Sequence, residues 1–242
     1  MSVELENAFL RLISPEGLAA LAPHLSEVKL TAGDLLLEAG RPVEWVHFPE
    51  GAVLSVRASQ ADGTRVEAAL LGQFGVSGFV EALGSGVSAV DCIVQVSGPA
   101  RRLRSNVLRE LATDPQFVAA AWRSAELVLI ETRQGLVCQA LHPAEARLAN
   151  WLLECSDRTG GAEPLKVTQE DLGTALGVHR TTVTSFMVDF QRRGLINASR
   201  GKVEILSREG LESTACDCRQ IIQGHRRALL AGAESDDPRA VR

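Results

Sequence analysis

Arg180, Thr181, Thr184 and Ser185 bring one guanidinium and three hydroxyls to the head of a single helical pattern, with His179 just before them. An arginine fork can bond a guanine bidentately, and short hydroxyls can bond phosphates or bases or meet a thymine methyl. Arg200 and Lys202 lie at a turn a little further on and supply cations for phosphate. This is recognition chemistry rather than catalysis. The chain has no glycine-rich phosphate loop, metal-ligand cluster or nucleophile elbow, and its histidines are isolated, so no enzymatic activity is expected.

Two helices and a hairpin must position these groups. Thr168 with Asp171 three residues on reads as a capping box, which starts a helix carrying Leu172, Ala175 and Leu176 on one side. Gly177 allows a sharp turn, and Val183, Phe186, Met187 and Phe190 form the apolar stripe of a second helix. Leu195 and Ile196 open one short strand, Val203 and Ile205 mark another, and Ser199, Arg200 and Gly201 turn between them. The second helix can enter a major groove end-on while the hairpin, as a wing, meets the backbone. From Lys166 to Arg208 there are seven basic and four acidic residues, although the whole chain is at −5. Local sign decides binding to a phosphate surface. The alternative is a winged bundle that contacts protein.

The run TQEDLGTALGVHRTTVTSFMVDFQRRGLI, with the SRGK turn after it, resembles the DNA-binding domain of the Crp/Fnr family of bacterial transcription regulators. The resemblance implies a sequence-specific, homodimeric regulator on a palindromic operator. Cyclic-AMP-responsive members carry arginine, glutamate and arginine as base readers at the head of the second helix. Arg180 matches the first, whereas Thr181 and Ser185 replace the others, so the operator should differ. Thr168, Thr182 and Lys202 fall where the family contacts phosphate, and Gln169 replaces a basic residue there. With His179 and Arg200 they make the expected backbone-contact set; Arg180, Thr181, Thr184 and Ser185 make the base-reading set.

From Glu27 to Arg104 the chain reads as short strands, namely VKL, DLLLEAG, VEWVHFPEG, AVLSVRAS, TRVEAALLG, DCIVQVSG and ARRL, separated by turns such as Asp62-Gly63 and Gly98-Pro99. That pattern predicts an antiparallel barrel or jelly roll. Its order resembles the family's cyclic-nucleotide-binding β-roll, where a glutamate takes the ribose and an arginine the cyclic phosphate. Here Gly75-Val76-Ser77-Gly78 has valine for the glutamate and Val87-Ser88 has valine for the arginine. A phosphate buried against valine lacks its charge partner, so cyclic AMP is not expected to bind in the usual way. Two readings stand. The roll holds another effector through Gly75, Ser77, Ser88 and backbone amides, or it is a filled core that supports a dimer. No cofactor is expected.

A chain of 242 residues with 45% hydrophobic content can build two cores. The acidic N-terminus lacks the charge and apolar run of an export signal, and no segment reaches membrane-spanning length, so a cytoplasmic protein is expected. Five scattered cysteines do not form a disulfide framework. Cys216 and Cys218 have weak metal spacing, so no metal is expected. Without a cysteine before Cys92, the N-terminal iron-sulfur mode of some family members is not expected either.

Residues 4–22 suggest one or two short helices around Pro15. Asp114-Pro115 starts a long helix that ends near Leu141. Val118, Trp122, Ala125, Leu129, Leu136 and Ala140 make one apolar face, Leu127, Ile130, Val137 and Leu141 its flank, and Phe117, Ala121, Ser124 and Val128 a smaller line. So wide an apolar spread calls for a second burial partner and suggests dimerisation along the helix. The alternative is a single amphipathic helix lying on the roll. His142-Pro143 breaks it, AEARLANWLLECSDR forms the next helix, and the stretch from Arg208 to Leu230 reads as a C-terminal helix on the winged domain.

The expected architecture is α+β: a β-roll over residues 1–112, a dimerisation helix and hinge over 113–142, a winged helix-turn-helix over 143–225 and a loose tail over 226–242. Expected partners are double-stranded DNA, a second copy of the chain and RNA polymerase, with no membrane.

Overall fold

The apolar runs between Glu27 and Arg104 do form strands, and they close into two facing antiparallel sheets. A computed structural model describes residues 6–161 and 164–231. Helices α1 (Ala8–Leu12) and α2 (Pro15–Leu21) precede β1 (Ser26–Leu30), β2 (Leu35–Leu37), β3 (Trp45–Pro49), β4 (Val53–Ser59) and β5 (Arg65–Leu71). A short α3 (Phe79–Leu83) separates these from β6 (Asp91–Val96) and β7 (Gly98–Arg104). One sheet has the order β1-β7-β3 and the other β2-β6-β4-β5.

Phe9 is the hub of the roll's core: its ring lies 5.9 Å from Phe48, 4.8 Å from Phe79 and 5.9 Å from Phe117. One aromatic thus ties the N-terminal helix to β3, to α3 and to the long helix. Asn7 beside it is fully buried but satisfied, since its Nδ2 donates to the carbonyls of Pro49 and Gly75 and its Oδ1 accepts from the Phe9 amide.

After α4 (Ser105–Leu111) the long helix α5 runs from Pro115 to Leu141, capped by Asp114, whose carboxylate accepts from the amides of Gln116 and Phe117. The small line of Phe117, Ala121 and Ser124, with Ala120 and Leu127, is the face buried against the rest of the chain. Trp122, Leu129 and Leu136 point away and stay exposed.

Helix α5 breaks off at His142 and Pro143, followed by α6 (Ala144–Arg158), β8 (Leu165–Lys166), α7 (Gln169–Leu176) and α8 (Arg180–Arg192). Strands β9 (Ile196–Ser199) and β10 (Lys202–Ile205) and helices α9 (Arg208–Thr214) and α10 (Cys218–Ala231) complete the chain. Leu148, Leu152, Leu172, Val183, Phe190 and Leu211 make a second core, and Val53 of β4 belongs to it. The winged unit therefore rests on the outside of the roll.

Several expectations are corrected. Gly98-Pro99 is not a turn but opens β7, where a Cβ on Gly98 would lie 2.4 Å from the Gly51 carbonyl carbon, so only glycine fits. Helix α4 and the third wing strand β8 were not anticipated, because both are too short for a periodicity to show. The C-terminal helix is two helices, and α10 packs mainly along α5 rather than on the winged unit. Residues 226–231 continue α10, with Arg226 buried, instead of starting a loose tail; residues 232–242 and the beginning of the first helical stretch lie outside the described residues. Among the described residues no helix is long and apolar enough to cross a membrane.

Candidate nucleic-acid interface

The capping box forms as its residue types require. Thr168 Oγ1 accepts from the Asp171 amide at 3.1 Å, and the Asp171 carboxylate accepts from the Thr168 amide at 3.2 Å. Helix α7 ends at Gly177, whose φ of +63° is the left-handed conformation that a side chain would resist. Helix α8 then starts at Arg180 with His179 as N-cap, and no side chain caps it. Its N-terminus is the positive end of the helix dipole, a setting that favours phosphate.

Ser199 pairs with Lys202, so Arg200 and Gly201 form a two-residue hairpin turn with φ of +47° and +73°. A non-glycine residue pays a steric cost there, and this one keeps a cation at the tip. The Val167 amide donates to the Gly201 carbonyl at 3.0 Å, which sets the wing tip beside the start of α7. One groove is accordingly lined by Thr168, Gln169, Arg180, Arg200 and Lys202, with Glu170 also on its wall.

His179, Arg180, Thr181 and Ser185 are exposed on α8, as are Thr168, Arg200 and Lys202; Thr182, Thr184 and Gln169 are half-buried. The Thr184 hydroxyl lies 2.8 Å from Gln169 Oε1 and 3.0 Å from the Arg180 carbonyl, and its one proton can serve only one of them. The shorter contact, to Gln169, links α8 to α7. Three cations of the winged unit sit in ion pairs. Arg192 pairs with Asp189, Arg193 with Glu145 and Asp189, and Arg208 with Asp157 and Glu212. Among the described residues no ion pair engages Lys166, Arg180, Arg200 or Lys202, and Lys166 lies directly across from Lys202 in the wing sheet. Like charges on facing strands repel, and an anion between them would relieve the cost.

The expected effector residues are placed differently. Val76 is part of the roll's core. Ser77 is buried with its hydroxyl against Cys92 Sγ at 3.2 Å, and the Ser88 hydroxyl donates to the Val90 carbonyl at 2.7 Å. A Cβ on Gly75 would lie 2.9 Å from the Leu71 side chain. Both hydroxyls are thus engaged within the protein.

Sequence reasoning missed the contacts that hold the winged unit on the roll. Arg57 reaches Asp171 at 3.4 Å, so the residue that caps α7 also anchors it. Trp151 Nε1 donates to the Glu67 carboxylate at 2.8 Å, and Ser55 donates to its other oxygen at 2.6 Å. Burial pushes the Glu67 pKa up from 4.5 to about 7, against the opposing pull of Ser55, Trp151, Arg57 and Arg158. Between those values the folded chain keeps a proton that the unfolded chain has released, so stability falls as pH rises through the window. His47 slopes the other way, because burial, aided by Arg102, lowers its pKa to about 4 and its contribution is lost as pH falls below 6.5. Glu67→Gln should remove the Glu67 part, of order 1–3 kcal/mol. Urea unfolding of variant and parent at several pH values measures it, and parallel curves would exclude the assignment.

Comparison with known proteins bears on the same region. Residues 146–214 match the Crp-like helix-turn-helix domain. The transcriptional regulator SdrP of Thermus thermophilus is 30% identical over 107 residues, 42% of this chain and 53% of that protein, so the match spans about half of the relative. A CRP-like cAMP-activated global transcriptional regulator of Mycobacterium tuberculosis is 24% identical over 212 residues, 84% of this chain and 94% of that one. Among solved structures, a Crp/Fnr-family regulator from Eubacterium rectale superposes with a TM-score of 0.68 at 17% identity, covering 87% of this chain and 99% of its own. FixK2 from Bradyrhizobium japonicum gives 0.66 at 19% identity, covering 79% and 98%.

Proposed function

The chain belongs to the Crp/Fnr family of transcription regulators, and from that premise we propose that it binds a palindromic duplex operator as a homodimer, with one α8 in each of two successive major grooves. The observation that carries this reading is the division of its cations. Arg192, Arg193 and Arg208 are neutralised by carboxylates, while among the described residues no ion pair engages Arg180, Arg200 and Lys202 at the groove or Lys166 on the strand beside it. Phosphate neutralisation is the sequence-independent part of DNA affinity, and unpaired cations supply it without first breaking an internal ion pair. Arg180, Thr181 and Ser185 stand exposed where base edges would lie, and the contact of Thr184 with Gln169 helps hold α8 against α7 to present them.

Dimerisation draws support from Trp122, Leu129 and Leu136, seven residues apart and turned away from the roll. A dimer along α5 would also place RNA polymerase contacts on the outer faces of two related winged units. Cyclic AMP is not the effector in this reading, because Val76 fills the core at the glutamate position and both candidate serine hydroxyls are engaged. Any other effector would act through different affinities for two settings of the hinge at Pro143.

The test is duplex binding by fluorescence anisotropy across a salt series. Affinity should fall steeply with salt, and Lys202→Ala should reduce the slope by about 1 while weakening all sequences alike. Arg180→Ala should cost about 1–3 kcal/mol and relax preference at one operator base. A flat salt response would return the winged unit to protein contact, and identical profiles from the two variants would overturn their separate roles.

A further inference from the structure

The end of α5 and the break between α9 and α10 carry four donors of the kind that soft metal ions select. Cys138 and His142 are one helical turn apart at the C-terminal end of α5. Helix α9 stops at Thr214, extended backbone at Ala215 redirects the chain, and Cys216 and Cys218 arrive against the first pair. The four ligand atoms all lie within 4.8 Å of one another. Cys138 Sγ is 3.5 Å from Cys216 Sγ, and Cys218 Sγ is 3.3 Å from His142 Nδ1. A tetrahedral ion with bonds of about 2.3 Å to sulfur and about 2.0–2.1 Å to nitrogen sets its ligands about 3.8 Å apart for two sulfurs and about 3.6 Å apart for sulfur and nitrogen. These two edges are within a few tenths of an ångström of those of such a tetrahedron, and the other four are no longer than 4.8 Å.

Two side-chain amides already point at the sulfurs. Asn150 Nδ2 donates to Cys216 Sγ at 2.7 Å and Gln134 Nε2 to Cys218 Sγ at 3.2 Å, while a neutral thiol is only a weak acceptor. Nε2 of His142 is 4.0 Å from the Asp217 carboxylate, and Nδ1 is the nitrogen that faces the Cys218 sulfur. A disulfide would use two of the thiols and leave the third and the imidazole unexplained. A multi-iron cluster needs room between its cysteines that four atoms within 4.8 Å do not leave.

We propose that Cys138, His142, Cys216 and Cys218 bind one zinc ion per chain in a closed four-ligand site, pinning the start of α10 to the end of α5 at the hinge. Binding releases the thiol protons, up to three per ion, so affinity falls as pH drops. The proposal does not depend on whether the winged unit binds DNA.

The full-length protein, purified reduced and saturated with zinc chloride, should retain one zinc per chain through gel filtration by elemental analysis. Cobalt(II) in its place should show strong visible bands and thiolate-to-metal charge transfer, the signature of sulfur-rich tetrahedral coordination. Chelation should speed amide hydrogen exchange across residues 215–222. Cys216→Ser and His142→Ala should each weaken zinc affinity by an order of magnitude or more, while Cys92→Ser, in the roll, keeps the stoichiometry at one. Because a ligand variant could fail to fold, the cobalt spectrum of the unaltered protein decides independently. Loss of all zinc from fully reduced protein, a weak octahedral cobalt spectrum, or iron with acid-labile sulfide at the site would each overturn the proposal.

Discussion

Leu129→Glu combined with Leu136→Glu is expected to leave the protein a monomer by sedimentation velocity, with its far-ultraviolet circular dichroism unchanged. Trp122 is 72% exposed in the single chain, Leu129 46% and Leu136 67%, whereas Phe117, Ala120, Ala121 and Leu127 of the same helix are buried on the roll. Exposed positions can be changed at little cost to the subunit's own fold. Burying a leucine contributes about 1.5–3 kcal/mol, and a twofold axis counts each change twice. Losing four leucines therefore removes about 6 kcal/mol at the least, on the order of ten-thousand-fold in dimer affinity. Facing glutamates add repulsion. A monomer also forfeits the second half-site, so affinity for a palindromic duplex should drop about 10²–10⁴-fold while affinity for an isolated half-site holds. A variant that still sediments as a dimer would show that α5 is not the interface.

Arg158→Met should be the most destabilising single change, costing about 3–5 kcal/mol in urea unfolding. Arg158 is buried and donates to Glu154 at 3.1 Å and Glu131 at 3.2 Å; Arg226 donates to Glu131 at 2.8 Å and to Glu154 at 3.0 Å. Two cations and two anions from α5, α6 and α10 thus neutralise one another. Burial alone would raise the Glu154 pKa, but Arg158 and Arg226 outweigh it and hold the value below the usual carboxylate range. That contribution is present above the ordinary carboxylate pKa and is lost as pH falls through the lowered value. Removing Arg158 leaves an excess buried negative charge. Adding Glu154→Leu should restore part of the loss, because the remaining pair is again neutral. The side chain also fills the space beside Gly72 of the roll, where a Cβ would lie 2.8 Å from Arg158 Cβ. A loss under about 1 kcal/mol would mean that water screens the network.

The parts legible in the sequence are those whose partners are close in the chain. Thr168 and Asp171 are three residues apart, the wing turn is two residues long, and the apolar stripe of α8 recurs at three and four residues. Local backbone geometry decides each of these, so residue type and spacing are enough. The strand runs of the roll were legible for the same reason, although not which strands face each other. Gly98-Pro99 has the composition of a turn, yet glycine is required there by the close approach of Gly51 to β7.

Residue order alone decided the fold class, the two-unit organisation and the helix that presents Arg180, since periodicity and capping act over a few residues. Tertiary structure alone decided which cations stay unpaired, that Thr184 is tied to Gln169, that α10 lies along α5, and that Cys138 meets Cys216 across 78 positions. Glu67 and Trp151, 84 positions apart, belong to the same class. Their pairing depends on how the winged unit sits on the roll, and that is settled by packing two separately formed cores against each other, which no short-range pattern encodes.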